Sequence, residues 1–473
     1  MDLILWLVMG SLWGCAGESE GDPLKDSSTP SGAATTVTGS TSVPGSTSTS
    51  LEDTGEGSPL PPNILMVVID DLGVDFLPTY GAEGASIPKT PTLDTLASDG
   101  LRFTSAWSTP LCSPSRAELL TGRYARHFDL GTVIVHTAEF DLPDEAVTLP
   151  EYLGDSWSTA FLGKWHLSSG ARALTGPNDQ GFGHWSGTIG NLGAESSPNQ
   201  RQGLGYWNWE RVTDGTLEMS TVYATTATVD DAVQQVTTLT EPWFVEVAFH
   251  AGHAPYHYPP PELLRRDWAG GSGGNAHKFG AMIEALDTEL GRLLEEIDPA
   301  RTLVMVVGDN GTPQDVVTPP AKGTTVEAGI NVPVIVRGPG IEPGGVVEAP
   351  VGLVDLPVTV LDLAGVVTAE PLDGVSLRPC FTDPECRPRD TAFSVMFTPN
   401  GPGPHTVSMA AVRDDRYKLI ERLHPEHQPK LAHALHDMHG EGEAVDLLLD
   451  SPSKESTAAH ARLLEVLDSY MEP

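Results

Sequence analysis

Basic residues are scarce in this chain. Its 473 residues contain 27 lysines and arginines against 64 aspartates and glutamates, which gives a formal net charge of −37. A molecule this acidic repels the phosphate backbone, so nucleic acid is not an expected partner. The same field repels small anions, so any anion-binding site requires cations placed locally.

Long hydrophobic runs are also missing. The apolar stretch at residues 3–9 is too short to cross a bilayer. It leads into Leu12-Trp13-Gly14-Cys15, which resembles a bacterial lipoprotein box with Cys15 as the lipidated residue. An ordinary secretion signal at residues 1–15 and a misassigned start are the alternatives. We expect an exported protein, anchored by lipid at the outer membrane, in the periplasm or on the cell surface.

Cysteine is rare, and the chain has four. Cys380 and Cys386 flank a short turn-like stretch and could form a local disulfide in an oxidising compartment. Two free thiols are the alternative. Cys15 was described above, and Cys112 lies in a motif that is described below.

After residues 1–15, the composition divides the chain into three further parts. Residues 16–62 are rich in serine, threonine, glycine and proline, which predicts a disordered linker. Apolar strand patterns alternate with helical patterns over 63–375, which predicts an α/β domain with a mostly parallel sheet flanked by helices. A hairpin pattern near 411–420 and an amphipathic helix over 457–470 predict a smaller α+β subdomain with an antiparallel sheet at 376–473.

Oxygen-bearing side chains follow two strongly apolar segments. Asp70 and Asp71 come directly after residues 64–69, and Asp309 and Asn310 come directly after residues 302–308. Ligands bind outside the carboxyl ends of the strands in open α/β sheets. Four oxygen donors suit a hard divalent cation, Ca²⁺ or Mg²⁺, better than zinc.

A cysteine motif organises the chain. It is Leu111-Cys112-Ser113-Pro114-Ser115-Arg116, followed by Thr121-Gly122-Arg123. Proline is tolerated in the first turn of a helix, so we expect Cys112 at a helix N-terminus, where amide groups and the dipole favour an anion. Gly163-Lys164-Trp165-His166-Leu167 ends another predicted strand. If the chain stays extended there, Lys164 and His166 point to the same face.

Together with the Lys322 segment and His253-Ala254-Pro255, these strings resemble the formylglycine-dependent type I sulfatases of the alkaline-phosphatase-like superfamily. The resemblance runs from Asn63 to about Ile420. It implies that a formylglycine-generating enzyme oxidises Cys112. It also implies one bound cation, Ca²⁺ before Mg²⁺, held by the following residues: Asp70, Asp71, Cys112, Asp309 and Asn310.

The same resemblance implies a catalytic set, namely Cys112, Arg116, Lys164, His166, His253 and Lys322. The hydrated aldehyde of residue 112 attacks sulfur, and its second hydroxyl then expels sulfate by re-forming the aldehyde. Arg116 supports the hydrate and His166 takes the proton during sulfate release. His253, assisted by Lys322, protonates the leaving alcohol. The family has proline where Gly252 stands, and His250 and His257 are alternatives to His253.

Two other functions are compatible with these motifs. One is a phosphomonoesterase or phosphonate hydrolase of the same superfamily, and the other is a lipoprotein that binds sulfated glycans without turnover. The alcohol half of the substrate is expected to contact residues 171–240 and the C-terminal subdomain. The aromatic cluster Tyr206-Trp207-Asn208-Trp209 either lines a sugar or aryl subsite or packs within a loop.

Overall fold

The computed structural model describes residues 60–135, 140–193, 205–268, 273–405, 407–423, 431–449 and 451–472. The signal or lipoprotein-box segment at 1–15 and nearly all of the linker at 16–62 lie outside the described residues. Lipidation of Cys15 therefore stays a prediction. Within the described ranges, every helix is too short or too polar to cross a bilayer.

A ten-stranded sheet forms the body of the fold. The strands in chain order are β1 Asn63–Ile69, β2 Leu101–Phe103, β3 Ala106–Trp107, β4 Ser158–Lys164, β5 His184–Thr188, β6 Trp209–Thr213, β7 Thr216–Ser220, β8 Trp243–Phe249, β9 Thr302–Gly308, β10 Val334–Arg337, β11 Gly345–Val347 and β12 Val351–Gly352. Their order in the large sheet is β11-β2-β10-β9-β1-β8-β4-β5-β6-β7, while β3 pairs with β12. The central run from β9 to β5 is parallel throughout.

Helices cover both faces of this sheet. The helices of this part are α1 Pro91–Ser98, α2 Cys112–Thr121, α3 Leu149–Leu153, α4 Gly176–Asp179, α5 Ala224–Thr238, α6 Gly274–Leu294, α7 Glu327–Ile330 and α8 Asp355–Ala364, and α9 Lys454–Met471 follows in the C-terminal part. Side chains of β1 alternate between two cores, with Ile64 in one and Leu65 in the other. A continuous apolar run is expected for a strand that is buried on both faces. The predicted α/β architecture is confirmed.

The C-terminal part carries the predicted antiparallel sheet. Its strands are β13 Ala392–Thr398, β14 Val407–Arg413, β15 Tyr417–Leu423 and β16 Leu431–Asp437, paired in that order. Helix α9 packs on this sheet through Leu463 and Leu467. Cys380 and Cys386 form a disulfide. The domain boundary at residue 375 stays a prediction.

One buried lysine joins the C-terminal sheet to the larger domain. The Lys418 side chain of β15 has no solvent exposure, and its Nζ donates to Glu327 at 3.0 Å and pairs with Glu443 at 2.8 Å. It also lies 4.4 Å from the ring centroid of Trp107. Glu327 begins α7, five residues after Lys322. The ion pairs therefore hold the C-terminal sheet against the segment that carries a predicted catalytic lysine.

Candidate active site

The predicted site residues meet at one edge of the sheet. Strand β1 lies between β9 and β8, and β4 lies beside β8. These four neighbouring strands are parallel, so their carboxyl ends share an edge. The acidic residues after β1 and β9 and the lysine at the end of β4 therefore come together, as the placement of ligands in open α/β sheets predicts.

Cys112 is the first residue of α2, as predicted. It is 1% exposed, and its Sγ lies 3.3 Å from Lys322 Nζ, 3.5 Å from Asp70 Oδ1 and 3.9 Å from Asp71 Oδ1. Burial raises the pKa of the Cys112 thiol to about 12, against the opposing effect of the lysines. Because the thiolate is the nucleophilic form, the unmodified thiol is a poor nucleophile at neutral pH.

The oxygen donors around Cys112 have the composition of a cation site. Ligand atoms of Asp70, Asp71, Cys112 and Asp309 all lie within 4.8 Å of one another. Asn310 donates through Nδ2 to Asp71 Oδ1 at 2.8 Å, while its Oδ1 is buried without a partner. A buried amide oxygen without a partner is costly, and a cation would satisfy it. The set therefore fits a hard divalent cation.

Three cationic side chains lie among the carboxylates: Arg116 and Lys164 are buried, and Lys322 is half-buried. Arg116 donates to Asp309 Oδ2 through Nε at 3.1 Å and through Nη2 at 2.8 Å. Lys164 Nζ pairs with Asp70 Oδ2 at 2.5 Å, and Lys322 Nζ donates to Asp71 Oδ1. Three positive groups face three carboxylates, so a divalent cation would make the cluster positive and favourable for an anionic substrate.

The ionisation of the carboxylates follows from these contacts. Burial by itself would raise the pKa of Asp71, but the charges of Lys322, His253 and Lys164 hold it below its ordinary value. Burial and the neighbouring Asp70 raise the pKa of Asp309, which Arg116 opposes. Asp71 is therefore ready to bind a cation without losing a proton.

The expectation that Lys164 and His166 share one face of an extended strand is wrong. Strand β4 ends at Lys164, and His166 has φ 63°, in the left-handed region. The backbone N–H of His166 donates to the carbonyl of Ile189 at 2.8 Å, and Ser113 Oγ donates to the His166 carbonyl at 2.8 Å. These tertiary hydrogen bonds turn the chain, and the local sequence does not reveal them.

The His166 ring is buried, and its Nδ1 has no partner. Burial, followed by the charges of Lys164 and Arg116, holds the pKa of His166 well below its ordinary value. A neutral imidazole can accept a proton, which the predicted role in sulfate release requires, and that role stays a prediction.

The three candidate histidines after β8 differ in their free ring atoms. His253 is half-buried, and its Nδ1 faces the Ala254 carbonyl at 2.8 Å, which leaves Nε2 for a substrate. His257 uses both nitrogens, with Tyr223 Oη at 2.9 Å and the Pro255 carbonyl at 2.8 Å. His250 is 2% exposed and its Nε2 lies 2.7 Å from Thr188 Oγ1. Of the three, His253 is best placed to act on a substrate.

Sequence reasoning missed the residues that hold the histidines. Ser113 lies inside the cysteine motif, but nothing in the motif indicates that its hydroxyl donates to the His166 carbonyl. Thr188 ends β5 and contacts His250, although 62 residues separate them. Tyr206 Oη lies 2.7 Å from the His250 carbonyl and 2.8 Å from that of His253. These contacts depend on how strands are ordered in the sheet, so spacing along the chain could not reveal them.

Family comparison agrees with this geometry. Residues 62–366, more than half of the chain, match the family described as Sulfatase. The chain belongs to the sulfatase family. A second match, over residues 321–468, is to the family described as N-sulphoglucosamine sulphohydrolase, C-terminal. The sulfatase resemblance and the superfamily assignment predicted from the motifs are therefore confirmed.

Individual relatives of this sulfatase-family chain have different named activities. It is 30% identical to N-acetylgalactosamine-6-sulfatase of Canis lupus familiaris, over 62% of this chain and 60% of that protein. Among solved structures, Ps i-CgsB in complex with k-i-k-neocarrahexaose has a TM-score of 0.71 at 23% identity, over 87% of this chain and 92% of that one. A phosphonate monoester hydrolase from Silicibacter pomeroyi has a TM-score of 0.63 at 23% identity, over 87% and 95%. The fold is thus shared with proteins of different named activities.

The cation site can be tested without any turnover. We expect Ca²⁺ at about 100 times its Kd to raise the free energy of unfolding by ~2.7 kcal/mol, because binding stabilises only the folded state. Mg²⁺ should raise the free energy of unfolding less than Ca²⁺ does, because magnesium demands a stricter coordination geometry. Denaturant unfolding of metal-stripped protein, with and without each ion, measures both effects.

Asn310→Leu removes the unpartnered amide oxygen at nearly constant volume, so we expect about tenfold weaker Ca²⁺ affinity, ~1.4 kcal/mol. Asp298→Asn, at an exposed carboxylate outside the cluster, is the matched control and should keep the full shift. An undiminished Ca²⁺ shift in Asn310→Leu would contradict the assignment.

Proposed function

We propose that this protein hydrolyses sulfate esters through formylglycine at position 112. The observation that carries the proposal is the environment of Cys112, at the start of a helix, beside Lys322 and next to the carboxylate cluster. Its buried thiol is too weakly acidic to act as a nucleophile. An aldehyde hydrate at this position has an oxygen nucleophile and, after transfer of the sulfuryl group, a second hydroxyl that can expel sulfate.

The neighbouring residues have complementary roles in this proposal. Arg116 orients the hydrate and neutralises charge near it, while Lys164 and Lys322 bind the sulfate oxygens. His166 takes the proton from the second hydroxyl as sulfate leaves.

His253 has its Nδ1 hydrogen at the Ala254 carbonyl, so it gives a proton to the leaving alcohol through Nε2 only as the imidazolium. Burial lowers the pKa of His253 to about 4, and the charge of Asp71 opposes this shift. Lys322 assists the proton transfer.

Asp70, Asp71, Asp309, Asn310 and residue 112 would hold one cation, most simply Ca²⁺. When bound, it supplies positive charge close to the sulfate oxygens. The chain's own carboxylates fix where that charge lies. The lysines that now pair with them would then have part of their charge available for the substrate.

Maturation and location are part of the same proposal. A formylglycine-generating enzyme is the required partner, because the aldehyde does not form by itself. Export as a lipoprotein rests on the resemblance of residues 12–15 to a lipoprotein box. The Cys380–Cys386 disulfide supports an oxidising compartment, since such bonds persist there.

The first test is the mass of the tryptic peptide 103–116. In protein from the native host, or made together with a converting enzyme, we expect the CH2SH group of Cys112 to be replaced by CHO. An alkylatable thiol in native-host protein would reject the sulfatase mechanism. It would then favour the non-catalytic alternative, a protein that binds sulfated glycans without turnover.

The role of His253 can be tested by varying the leaving group. We expect His253→Asn to lower kcat about 100- to 10,000-fold for a sugar sulfate, whose alkoxide needs a proton as it leaves. The loss for 4-nitrophenyl sulfate should be much smaller, because nitrophenolate leaves without one. His250→Asn is the matched comparison and should show no dependence on the leaving group. Equal losses on both esters in His253→Asn would exclude the role of general acid.

A phosphomonoesterase or phosphonate hydrolase is the second candidate, since a phosphonate monoester hydrolase shares the fold. Charge argues against the phosphomonoesterase, because three cations already face three carboxylates and a phosphate monoester carries more negative charge than a sulfate ester. We expect sulfate release to exceed phosphate release from matched 4-nitrophenyl esters by at least about 100-fold in kcat/KM, ~2.7 kcal/mol. The reverse preference would make the phosphatase the function.

A further inference from the structure

The aromatic cluster after residue 205 divides into buried and exposed members. Tyr206 is 1% exposed and Trp209 is 2% exposed, whereas Trp207 between them is 43% exposed. Among the tryptophans and phenylalanines that the structure describes, Trp207 alone is classed as exposed. Packing therefore explains Tyr206, in the loop, and Trp209, at the start of β6, but not Trp207.

The exposed ring is tied to the segment that carries His253. Tyr206, its neighbour in the chain, contacts the carbonyls of His250 and His253 through its hydroxyl. The ring centroids of Trp207 and His257 are 4.6 Å apart, and those of Tyr206 and His257 are 4.2 Å apart. Trp207 thus packs against His257, four residues after the predicted proton donor His253 in the same segment.

The residues beneath Trp207 make a rigid and uncharged support. Tyr223 packs against Trp207 with centroids 5.1 Å apart, and its hydroxyl lies 2.9 Å from His257 Nε2. The Pro255 carbonyl can only accept, so His257 Nδ1 carries the hydrogen and Nε2 accepts from Tyr223. Burial lowers the pKa of His257 to about 4, so the ring is neutral at neutral pH.

We propose that Trp207 is a stacking platform for the alcohol half of the substrate, and that this half is a ring with a flat apolar face. The inference rests on the proposed function, because it places the ring relative to a sulfate ester bound near Cys112. A pyranose and an arene both present such a face. Stacking on a preformed aromatic ring that is held by its neighbours contributes to binding without ordering new side chains.

Trp207→Ala tests the platform because stacking should affect KM and leave kcat nearly unchanged. For 4-nitrophenyl sulfate and for a methyl hexopyranoside 6-sulfate, we expect KM to rise about tenfold, with kcat within about twofold. For an open-chain alkyl sulfate, KM should stay within about twofold. A KM increase for one ring ester alone identifies which ring the site takes. Inhibition by inorganic sulfate should not change, because that ion occupies only the charged cluster.

Two further variants separate stacking from general disturbance. Trp207→Phe keeps a flat ring and should recover most of the wild-type KM. Leu217→Ala removes another side chain that is 43% exposed, on the neighbouring strand β7, and should behave as the wild type. Equal KM values in Trp207→Ala and Leu217→Ala for both ring esters would overturn the platform.

A binding measurement keeps the inference testable if turnover is absent. Protein with unconverted Cys112 cannot complete the reaction, so calorimetric titration with the same ring esters gives Kd for wild type and Trp207→Ala. We expect about tenfold weaker binding in the variant. Ring esters that bind both proteins equally, or neither, would reject the platform. If no ester of any kind releases sulfate from converted wild-type protein, the proposed function fails instead.

Discussion

The site depends on opposite charges that are buried together at one sheet edge. Asp70 and Asp309 have no exposed side-chain surface, and neither has Lys164. Each charge alone would be strongly destabilised by the loss of water, and each is tolerable because partners lie at hydrogen-bond distance. Removing one member would leave its partner buried and unpaired. The cluster is therefore maintained as a unit, and the fold must place three strand ends and the start of α2 with little freedom.

Backbone strain lies at the same place. Asp71 has φ 62° and His166 has φ 63°, and neither is glycine. Such conformations cost of order 1–3 kcal/mol and persist only where surrounding contacts enforce them. For Asp71 the contact is a backbone N–H that donates to Asp309 Oδ1 at 3.0 Å. The Asp309 carboxylate, which accepts this hydrogen bond, also pairs with Arg116. The unfavourable backbone conformation after β1 is therefore compensated by a charged group that follows β9.

Strand positions and helix starts that depend on the local sequence pattern could be predicted. The positions of β1 and β9 follow from apolar runs, and Cys112 at the start of α2 follows from Pro114. Prediction failed where distant groups decide the conformation. Nothing near His166 indicates that Ile189 and Ser113 turn the chain there. Nothing in Tyr206-Trp207-Asn208-Trp209 indicates which rings are buried, because an irregular loop has no period to read.

In the proposed function, the two halves of a sulfate ester contact different parts of the chain. Of the residues assigned to the sulfate half, Lys164 ends β4 and Cys112 and Arg116 lie in the first turns of α2, where buried ion pairs hold Lys164 and Arg116 in place. Trp207 belongs to a turn that is closed by backbone hydrogen bonds between Gly205 and Asn208, and its ring contacts Tyr223 and His257. A loop can change its side chains without disturbing buried charges, since it contributes none to the cluster. Reaction chemistry is therefore constrained by the sheet, whereas the choice of alcohol can vary independently at the rim.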